Sequence, residues 1–416
     1  MHEEVSRRAS AALGVSRTAE WRDALLLGLM TRAAARAGIA PLSVRLPSGL
    51  SGHVGRPGAP EAGLEVRSFR LLWDAMMRGN IGFAEAYLRG DVTTPDLGRL
   101  FRYFLSNYGA LTAAGRGVFK TRLPDRLAHR ARRNTRRGSR RNIAAHYDLG
   151  NAFYRSWLDP GMTYSSALYE NAAMPLEEAQ AAKYARIIEA LEVAAGDRVL
   201  EIGCGWGGMA EALAARGANV TGITVSAEQL AFARARLAPR SGPDRARGSA
   251  DIRFEDYRDT SGTFDRLVSV EMIEAVGEEN WPLYFETLQR RLRPGGIGVI
   301  QAITMREEDF DIYRSRPDFI QRFIFPGGVL PTPQRIHAHA AAAGLSCETV
   351  LRFGKSYALT LAEWRRRFLF AWPQIAALGF DERFRRMWDY YLTYCEVGFG
   401  EGVTDVALYR VVKPAA

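Results

Sequence analysis

The sequence predicts an α/β domain with a doubly wound sheet, preceded by a smaller domain. From about residue 143, apolar strand segments alternate with helical segments of about ten to fifteen residues, which is typical of a parallel sheet covered by helices on both faces. One of these strands ends in a glycine-rich turn that opens a helix. The chain has 416 residues, enough for two domains with a full core in the larger one.

Residues 1–125 are predicted to form the small N-terminal domain. Gly and Pro are frequent in residues 46–63, as expected of loops that join short strands, and residues 70–89 and 97–108 follow helical patterns. The first of these patterns is interrupted by Gly79 and Gly82, so we expect a broken helix there.

Residues 126–142 are predicted to be a linker, and residues 126–141 contain eight arginines. A solvated linker explains this composition, and so does a contact with anionic lipid headgroups, worth roughly 1 kcal/mol per arginine near such a surface. A nucleic-acid contact is less favoured because no aromatic residues alternate with the charges. The net charge of +10 favours an anionic partner of some kind.

Residues 143–416 are predicted to form the catalytic domain. The expected strands are residues 198–202, 219–223, 252–254, 266–270, 298–303, 346–351 and 405–412. The expected helices are residues 183–191, 207–216, 227–237, 281–292 and 333–343. A largely helical, aromatic insertion at about residues 360–395 separates the last two strands, a position from which it would cover a ligand pocket.

The most informative segment is residues 199–208, Val-Leu-Glu-Ile-Gly-Cys-Gly-Trp-Gly-Gly. Gly203, Gly205 and Gly208 match the dinucleotide pattern GxGxxG, so a nicotinamide enzyme has to be considered. Two features favour S-adenosylmethionine instead. Glu201 precedes the first glycine, where a carboxylate can receive the amino end of that cofactor. The segment about 20 residues further on, Gly-Ile-Thr-Val-Ser, lacks the acid that a dinucleotide site requires.

Other chemistry and other locations are disfavoured by composition. The three cysteines lie far apart, with neither metal-type spacing nor a disulfide framework, which indicates a reducing cytoplasm. The N-terminus lacks the pattern of a signal peptide, and the apolar run at residues 24–30 is far shorter than the roughly 20 residues that span a bilayer. We therefore expect a cytoplasmic protein that meets any lipid substrate at the membrane surface.

The chain resembles the cyclopropane-fatty-acyl-phospholipid synthase family, which includes mycolic acid cyclopropane synthases and fatty acid C-methyltransferases. The resemblance covers most of residues 142–400. Its motifs are at residues 146–149, 162–166, 201–208, 222–226, 271–277, 325–328 and 391–395. It implies a Rossmann-like class I S-adenosylmethionine methyltransferase sheet. It also implies transfer of a methyl carbon to the cis double bond of an acyl chain in a membrane phospholipid, to give a cyclopropane or a methyl- or methylene-branched chain.

The resemblance also implies which residues bind the cofactor. The implied contacts are Tyr164 and Ser165 to the amino-acid moiety, Gly203 and Gly205 by close approach, Thr224 and Gln229 to the ribose, and Asp256 and Tyr257 at the adenine edge. Because methylation of an alkene leaves positive charge on carbon, the site must be dry and lined with aromatic faces or fixed negative groups. Tyr147, Tyr164, Tyr357 and the aromatic residues of 368–394 are candidates for that lining.

The same resemblance implies bicarbonate as the base, held by a Cys, a Glu, a His and a Tyr. Glu274 matches the Glu, Tyr357 matches the Tyr, and Cys395 matches another pocket position. Ser166 stands in place of the Cys and Gln301 in place of the His. Since Ser and Gln donate hydrogen bonds but do not titrate near neutral pH, either neutral donors hold the anion or Glu274 acts more directly.

The expected partners are an anionic phospholipid surface at the inner face of the membrane, the unsaturated acyl chain, and a second copy of the chain in a homodimer. No nucleic acid is expected, although an RNA or small-molecule methyltransferase remains the alternative, as does a non-catalytic lipid-binding relative. Against the RNA alternative, no Asn/Asp-Pro-Pro-aromatic signature of amino-group methylation occurs in the chain.

Overall fold

The computed structural model describes residues 17–114, 149–238, 248–315 and 318–415. Contacts divide the chain into two units, the smaller formed by Met1–Arg122 with Glu382–Tyr390 and the larger by Leu123–Asp381 with Tyr391–Ala416. The arginine stretch at residues 126–141 lies outside the described residues, and so do His146 and Tyr147. The interpretations placed on these residues therefore stay predictions.

The smaller unit contains a short mixed sheet and helices. Its elements are α1 (Arg17–Arg36), β1 (Leu42–Arg45), β2 (Ser51–Val54), β3 (Ala62–Val66), α2 (Arg70–Arg89), β4 (Val92–Thr93), α3 (Leu97–Ser106) and α4 (Tyr108–Ala114). Within the described residues the strand order is β2-β1-β3-β4, with β1 antiparallel to β2 and parallel to β3. The Asp96 side chain caps α3 by accepting a hydrogen bond of 2.9 Å from the Arg99 N–H.

The interruption predicted in the second helix is a kink. Gly79 lies within α2 at φ +56°, a left-handed conformation that glycine adopts without penalty. A Cβ at Gly82 would lie only 1.9 Å from the backbone oxygen of Asp74, so the kinked turns pack too closely for a side chain. Further along the chain, the Tyr390 ring packs against Phe101 at 4.8 Å and Tyr87 at 5.5 Å, which joins Glu382–Tyr390 to this unit.

The larger unit alternates strands and helices, and its last helix, Glu382–Gly400, begins in the smaller unit and ends in this one. Its elements are α5 (Asn151–Arg155), α6 (Leu176–Leu191), β5 (Arg198–Ile202), α7 (Gly208–Ala215), β6 (Asn219–Thr224), α8 (Ala227–Leu237), β7 (Ser249–Phe254), β8 (Phe264–Val270), α9 (Trp281–Arg291), β9 (Leu292–Met305), α10 (Glu307–Ser315), α11 (Pro333–Ala342), β10 (Ser346–Arg352), α12 (Gly354–Phe370), α13 (Trp372–Ala377), α14 (Glu382–Gly400) and β11 (Thr404–Val412). Single turns of 3-10 helix at Ile273–Ala275 and Glu278–Asn280 and of π-helix at Ile320–Ile324 complete it. The predicted α/β class is confirmed.

Within the described residues, seven strands form one sheet in the order β10-β11-β9-β8-β5-β6-β7. The strands from β5 to β9 pair in parallel, and β5, β8 and β9 are apolar and buried along most of their length, as expected of strands with helices on both faces. The prediction of a parallel sheet was wrong for β11, which is antiparallel to both neighbours.

The reversal of β11 determines where the helical insertion lies. Arg352 at the end of β10 pairs with Ala407 near the start of β11, and Thr404 pairs with Met305 at the end of β9. The segment from α12 to α14 therefore leaves and re-enters the sheet at the carboxyl edge of the parallel strands. Ligands bind at this edge in open α/β sheets, beside the point where the strand order reverses.

Candidate active site

Polar residues of three neighbouring strands lie near the carboxyl edge of the sheet, on the strand or directly after it. Glu201 lies on β5 and is followed by the glycine turn, Glu271 follows β8, and Gln301 lies on β9. Because β8 pairs with both β5 and β9, these side chains come from adjacent strands. The chain proceeds outward from β5 through β6 and β7 and returns as β8 on the other side, so this is the topological switch point of the sheet.

The glycine turn has the backbone geometry that a close ligand approach requires. Gly203 and Gly205 have φ values of +79° and +52°, and a Cβ added to Gly205 would have no neighbour within 4 Å. The N–H groups of Gly203 and Cys204 both donate to the Ile223 oxygen at 3.0 Å, which holds the turn against β6. The main chain at Gly205 is thus open to a ligand at the start of α7.

Glu201 is a buried carboxylate with an unused oxygen. It is 3% exposed, one oxygen accepts the Ala210 N–H, and Oε2 has no hydrogen-bond partner among the described residues. Burial raises the pKa of Glu201 to about 8, against the opposing charge of Lys183. Such an oxygen fits a cationic amino group, because a buried carboxylate is costly until a positive partner satisfies it.

Lys183, which the sequence analysis did not single out, lies among the acidic groups of this site. Its buried Nζ donates to the Ser165 hydroxyl at 2.7 Å. Burial lowers the pKa of Lys183 to about 8, while the charges of Glu271, Asp159 and Glu201 oppose that shift. The ammonium therefore holds Ser165 in place and compensates the surrounding carboxylates.

The residues predicted at the ribose and adenine lie at the ends of the next strands. Thr224 donates to the Gln229 side-chain oxygen at 3.0 Å, and both residues are buried. The Asp256 carboxylate is bound by the Arg258 guanidinium at 2.6 and 2.8 Å. The Tyr257 hydroxyl is buried without a partner among the described residues, and burial raises its pKa to about 12.

Glu271 is a functional candidate that the sequence analysis missed. Its Oε1 accepts the Ser166 backbone N–H at 2.9 Å and the Gln301 side-chain amide at 2.7 Å, and its Oε2 accepts the Tyr357 hydroxyl at 2.7 Å. Burial raises the pKa of Glu271, while these three hydrogen bonds and the Lys183 charge favour the ionised form. Residues predicted to surround an anion therefore converge on a carboxylate of the chain itself.

The predicted anion site differs from expectation at Ser166. The Ser166 hydroxyl, expected to donate to the anion, donates instead to the Ala167 oxygen at 3.0 Å, and it is the backbone N–H that points to Glu271. Ser166 is fully buried, and its hydroxyl already donates to a neighbouring carbonyl. The hydroxyl therefore does not take over the contact with the anion that the resemblance assigns to a cysteine. Gln301 donates as expected, although its Oε1 is buried without a partner among the described residues.

Glu274, predicted either to help hold the anion or to act more directly, accepts a hydrogen bond from a different donor. Its Oε1 accepts the Ile303 N–H at 2.5 Å, and its Oε2 is buried without a partner among the described residues. Burial raises the pKa of Glu274 to about 8, and the nearby Glu271 charge adds to that shift. The structure thus places two carboxylates in one site, with the protonated form favoured on Glu274.

Aromatic side chains form the surroundings of this site. The Tyr164 and Tyr391 hydroxyls share a hydrogen bond of 2.9 Å, and the Tyr164 ring lies 5.3 Å from Trp364. The Tyr357 ring packs against Phe399 with centroids 4.3 Å apart and the ring planes tilted by 31°. Cys395 lies on α14, and burial raises the pKa of its thiol, which keeps it neutral. The insertion after β10 therefore supplies Tyr357, Tyr391 and Cys395 to the carboxyl edge.

The sequence contained a signal for Glu271, since it lies in the motif at residues 271–277 with Glu274. Glu271 directly follows the buried strand β8, at an edge where side chains reach a ligand.

Among the described residues, no cluster of His, Cys, Asp and Glu has the arrangement of a metal site.

The chain is similar to known proteins both in sequence and in structure. The family model of mycolic acid cyclopropane synthetase matches residues 134–409. The chain is 39% identical over 347 residues to tuberculostearic acid methyltransferase UfaA1 of Mycobacterium tuberculosis, covering 80% of this chain and 79% of that protein. It is 35% identical over 364 residues to cyclopropane-fatty-acyl-phospholipid synthase of Escherichia coli, covering 85% and 88%. The crystal structure of mycolic acid cyclopropane synthase CmaA1 with SAH and CTAB covers 66% of this chain and 98% of its own, at TM-score 0.59 and 29% identity.

Proposed function

The chain belongs to the mycolic acid cyclopropane synthetase family and is an S-adenosylmethionine-dependent C-methyltransferase that acts on unsaturated lipid chains, and from this premise we propose that its substrate is a cis-unsaturated acyl chain of a membrane phospholipid. The resemblance identified from the sequence is confirmed by the family match. The observation that supports the proposal is a hydrogen-bonded carboxylate in aromatic surroundings. It belongs to Glu271, which directly follows β8, the strand beside the one that leads into the glycine turn.

The proposed product is a cyclopropane ring, in line with the 35% identity to the Escherichia coli synthase. A methyl- or methylene-branched chain is the second candidate, in line with the 39% identity to tuberculostearic acid methyltransferase. Both products start with the same methyl transfer. Loss of a proton from the new methyl group closes the ring, whereas a 1,2-hydride shift before that loss gives a methylene branch, and a saturated methyl branch additionally requires a reductant.

The proposed cofactor contacts follow from the geometry of the site. When bound, S-adenosylmethionine supplies an electrophilic methyl group on a positively charged sulfur. The free oxygen of Glu201 and the Ser165 side chain receive its amino-acid end, and Gly203 and Gly205 allow close approach of the main chain. Tyr164 joins this end of the site. The other proposed contacts are Thr224 and Gln229 at the ribose and Asp256 and Tyr257 at the adenine edge.

The residues around Glu271 form the surroundings of the reacting double bond of the acyl chain. An alkene needs no base to attack the methyl group, but the attack leaves positive charge on a chain carbon, which water would trap. The rings of Tyr164, Trp364 and Phe399 exclude water and present negative faces to that charge. The reaction finishes when a base in the site removes a proton.

Bicarbonate, the base implied by the family resemblance, does not fit these residues. The Ser166 N–H, the Gln301 amide and the Tyr357 hydroxyl already donate to the carboxylate of Glu271. A second anion among the same donors would find them engaged and would face a like charge. No step of the proposed mechanism therefore passes through bicarbonate.

The function is tested with methyl-labelled S-adenosylmethionine and vesicles of phosphatidylglycerol. Cis-monounsaturated chains should become labelled and fully saturated chains should not, and mass spectrometry of the released acyl chains distinguishes ring, methylene and methyl products. Glu279→Gln, which alters an exposed carboxylate, is the matched control and should retain the wild-type rate. An acyl fraction without label, from protein that binds the cofactor, would refute the proposed substrate.

We further propose that the smaller unit contacts the anionic inner face of the membrane. Trp21, Leu25 and Leu29 lie four residues apart on one face of α1 and are 70%, 48% and 51% exposed. Arg32 and Arg36 continue the same face and are also exposed. A helix face that joins an exposed Trp and leucines to basic residues suits the headgroup region of an anionic bilayer. Among the described residues, no helix combines the length and apolarity needed to cross it.

Co-sedimentation with vesicles tests this surface. The Leu25→Ser/Leu29→Ser variant should lose binding to phosphatidylglycerol vesicles, whereas Phe370→Ser, which removes an 84% exposed ring elsewhere, should bind like the wild type. Analytical ultracentrifugation of the same proteins measures the predicted homodimer. If the double variant still sediments with vesicles, the membrane assignment of this face is wrong. If that variant has also lost dimerisation, the face is the dimer contact instead.

A further inference from the structure

We propose that Glu271 is the general base of this enzyme and that its carboxylate takes the place of an external bicarbonate. The inference rests on the proposed function, since it concerns the proton lost after methyl transfer to the acyl chain. It assigns the base to a residue other than Glu274, and it makes the reaction independent of dissolved bicarbonate.

The geometry around Glu271 is that of an anion held in a prepared site. Three donors from separate parts of the chain converge on one carboxylate: the Ser166 N–H at 2.9 Å, the Gln301 amide at 2.7 Å and the Tyr357 hydroxyl at 2.7 Å. These are the residues that the family resemblance assigns to the bound anion. Two donors fall on Oε1 and one on Oε2. Since a carboxylate accepts about four hydrogen bonds, an acceptor position remains on Oε2 for an incoming proton.

The charges of the site keep Glu271 able to accept that proton. Lys183 favours its ionised form, and so do all three hydrogen bonds. Glu274 has one backbone donor and an unpartnered oxygen, so burial favours its protonated form. When two buried carboxylates share a site, the one with more hydrogen-bond donors and a nearby positive charge ionises first, and here that is Glu271.

The backbone at Glu271 supports a functional reason for the side chain. Its φ of +49° lies in the left-handed region, which is unfavourable for any residue with a Cβ and readily adopted by glycine. Strain of this kind persists mainly where the surroundings impose it, often at active sites. Glu271→Gly should therefore remove the carboxylate while relieving strain, and it should leave three converging donors around a space the size of a small anion.

The proposed step balances without a further reactant. With S-adenosylmethionine bound, the alkene electron pair would form the bond to its methyl carbon, and the methyl–sulfur bond would break with its electron pair left on sulfur. The neighbouring chain carbon would then become positively charged. For the cyclopropane product, Oε2 of Glu271 takes a proton from that new methyl group, and the C–H electron pair closes the ring on the charged carbon. The proton then leaves Glu271 for solvent, which restores the carboxylate.

The first test compares wild-type enzyme in carbonate-free buffer with and without added bicarbonate, using label transfer to cis-unsaturated phosphatidylglycerol vesicles. The expected rates agree within about twofold. A tenfold or larger dependence on bicarbonate would overturn the inference, and yet the labelled product would still support the proposed function. Absence of product under both conditions would instead contradict the proposed function.

The second test uses two variants of the base and a surface control. Glu271→Gln should lose about 100-fold or more in rate, the scale of general-base catalysis, while its melting temperature and its calorimetric cofactor affinity stay near wild type. Glu271→Gly should be equally slow in carbonate-free buffer and should recover at least about tenfold with bicarbonate or formate, which supply the missing base. Glu279→Gln, on the surface, should respond to neither anion.

The results of the second test are decisive in either direction. A Glu271→Gln protein that folds, binds the cofactor and retains more than about a tenth of the rate would eliminate Glu271 as the base. Recovery of Glu271→Gly by anions, with no effect of the same anions on wild type, would support it. Failure of that recovery, with the fold and cofactor affinity intact, would count against an anion position at Glu271 and overturn the replacement of bicarbonate.

Discussion

Removal of one hydroxyl group, in Tyr357→Phe, should move the pH dependence of the reaction. The Tyr357 hydroxyl donates to Oε2 of Glu271 at 2.7 Å and stabilises its charged form. A hydrogen bond to a charged group contributes about 1.5–3 kcal/mol, and one pKa unit corresponds to about 1.4 kcal/mol. The loss of this bond should therefore raise the pKa of Glu271 by about 1–2 units. The sign is fixed because only the ionised form gains from the donor.

The assay is the pH profile of kcat/KM for labelled methyl transfer to unsaturated vesicles. The acidic limb of the Tyr357→Phe profile should lie about 1–2 units higher in pH than that of the wild type. At pH values below the acidic limbs of both proteins, the variant should therefore be about 10- to 100-fold slower than the wild type. Tyr103→Phe is the control, because it removes a buried hydroxyl that donates to the Ala40 oxygen at 2.9 Å in the smaller unit. It should leave the limb in place. A uniform fall in rate with an unmoved limb in Tyr357→Phe would refute the role of Glu271 as base.

Three further predictions concern other parts of the molecule. Because burial raises the pKa of Glu274 to about 8, the free energy of unfolding should fall as pH rises from about 4.5 to about 8. In urea titrations, Glu274→Gln should reduce the steepness of this fall by at most about 1.4 kcal/mol per pH unit. An unchanged pH dependence would contradict the buried titration of Glu274. Glu201→Gln should weaken S-adenosylmethionine binding about tenfold or more by calorimetry, and unchanged affinity would remove the carboxylate from the cofactor site. Gly82→Ala should lower the free energy of unfolding, measured in the same titrations, by about 1–3 kcal/mol or more, because the added Cβ would lie 1.9 Å from a carbonyl oxygen of the same helix. Gly109→Ala is the control: it has open space around the added Cβ and should be neutral or stabilising.

The sequence determined the class of the larger unit because that information is local. A strand buried on both faces is a short apolar run, and a glycine turn before a helix is a contiguous pattern, so β5 and the turn at Gly203 and Gly205 could be predicted directly. The family motifs are local in the same sense. Element boundaries were predicted less accurately. The strand predicted at residues 298–303 begins at Leu292, although the Pro and Gly residues after Leu292 indicate a turn.

Only the tertiary structure decided the direction of β11 and the identity of the central carboxylate. Glu271 and Glu274 are three residues apart in one motif, and no local pattern distinguishes them. The donors to Glu271 come from Ser166, Gln301 and Tyr357, which lie 105, 30 and 86 residues away along the chain. Whether a side chain faces these donors depends on strand pairing and on backbone angles such as the positive φ of Glu271, which arise when distant segments pack together. Hydrogen-bond partners and charge state are therefore properties of the folded site.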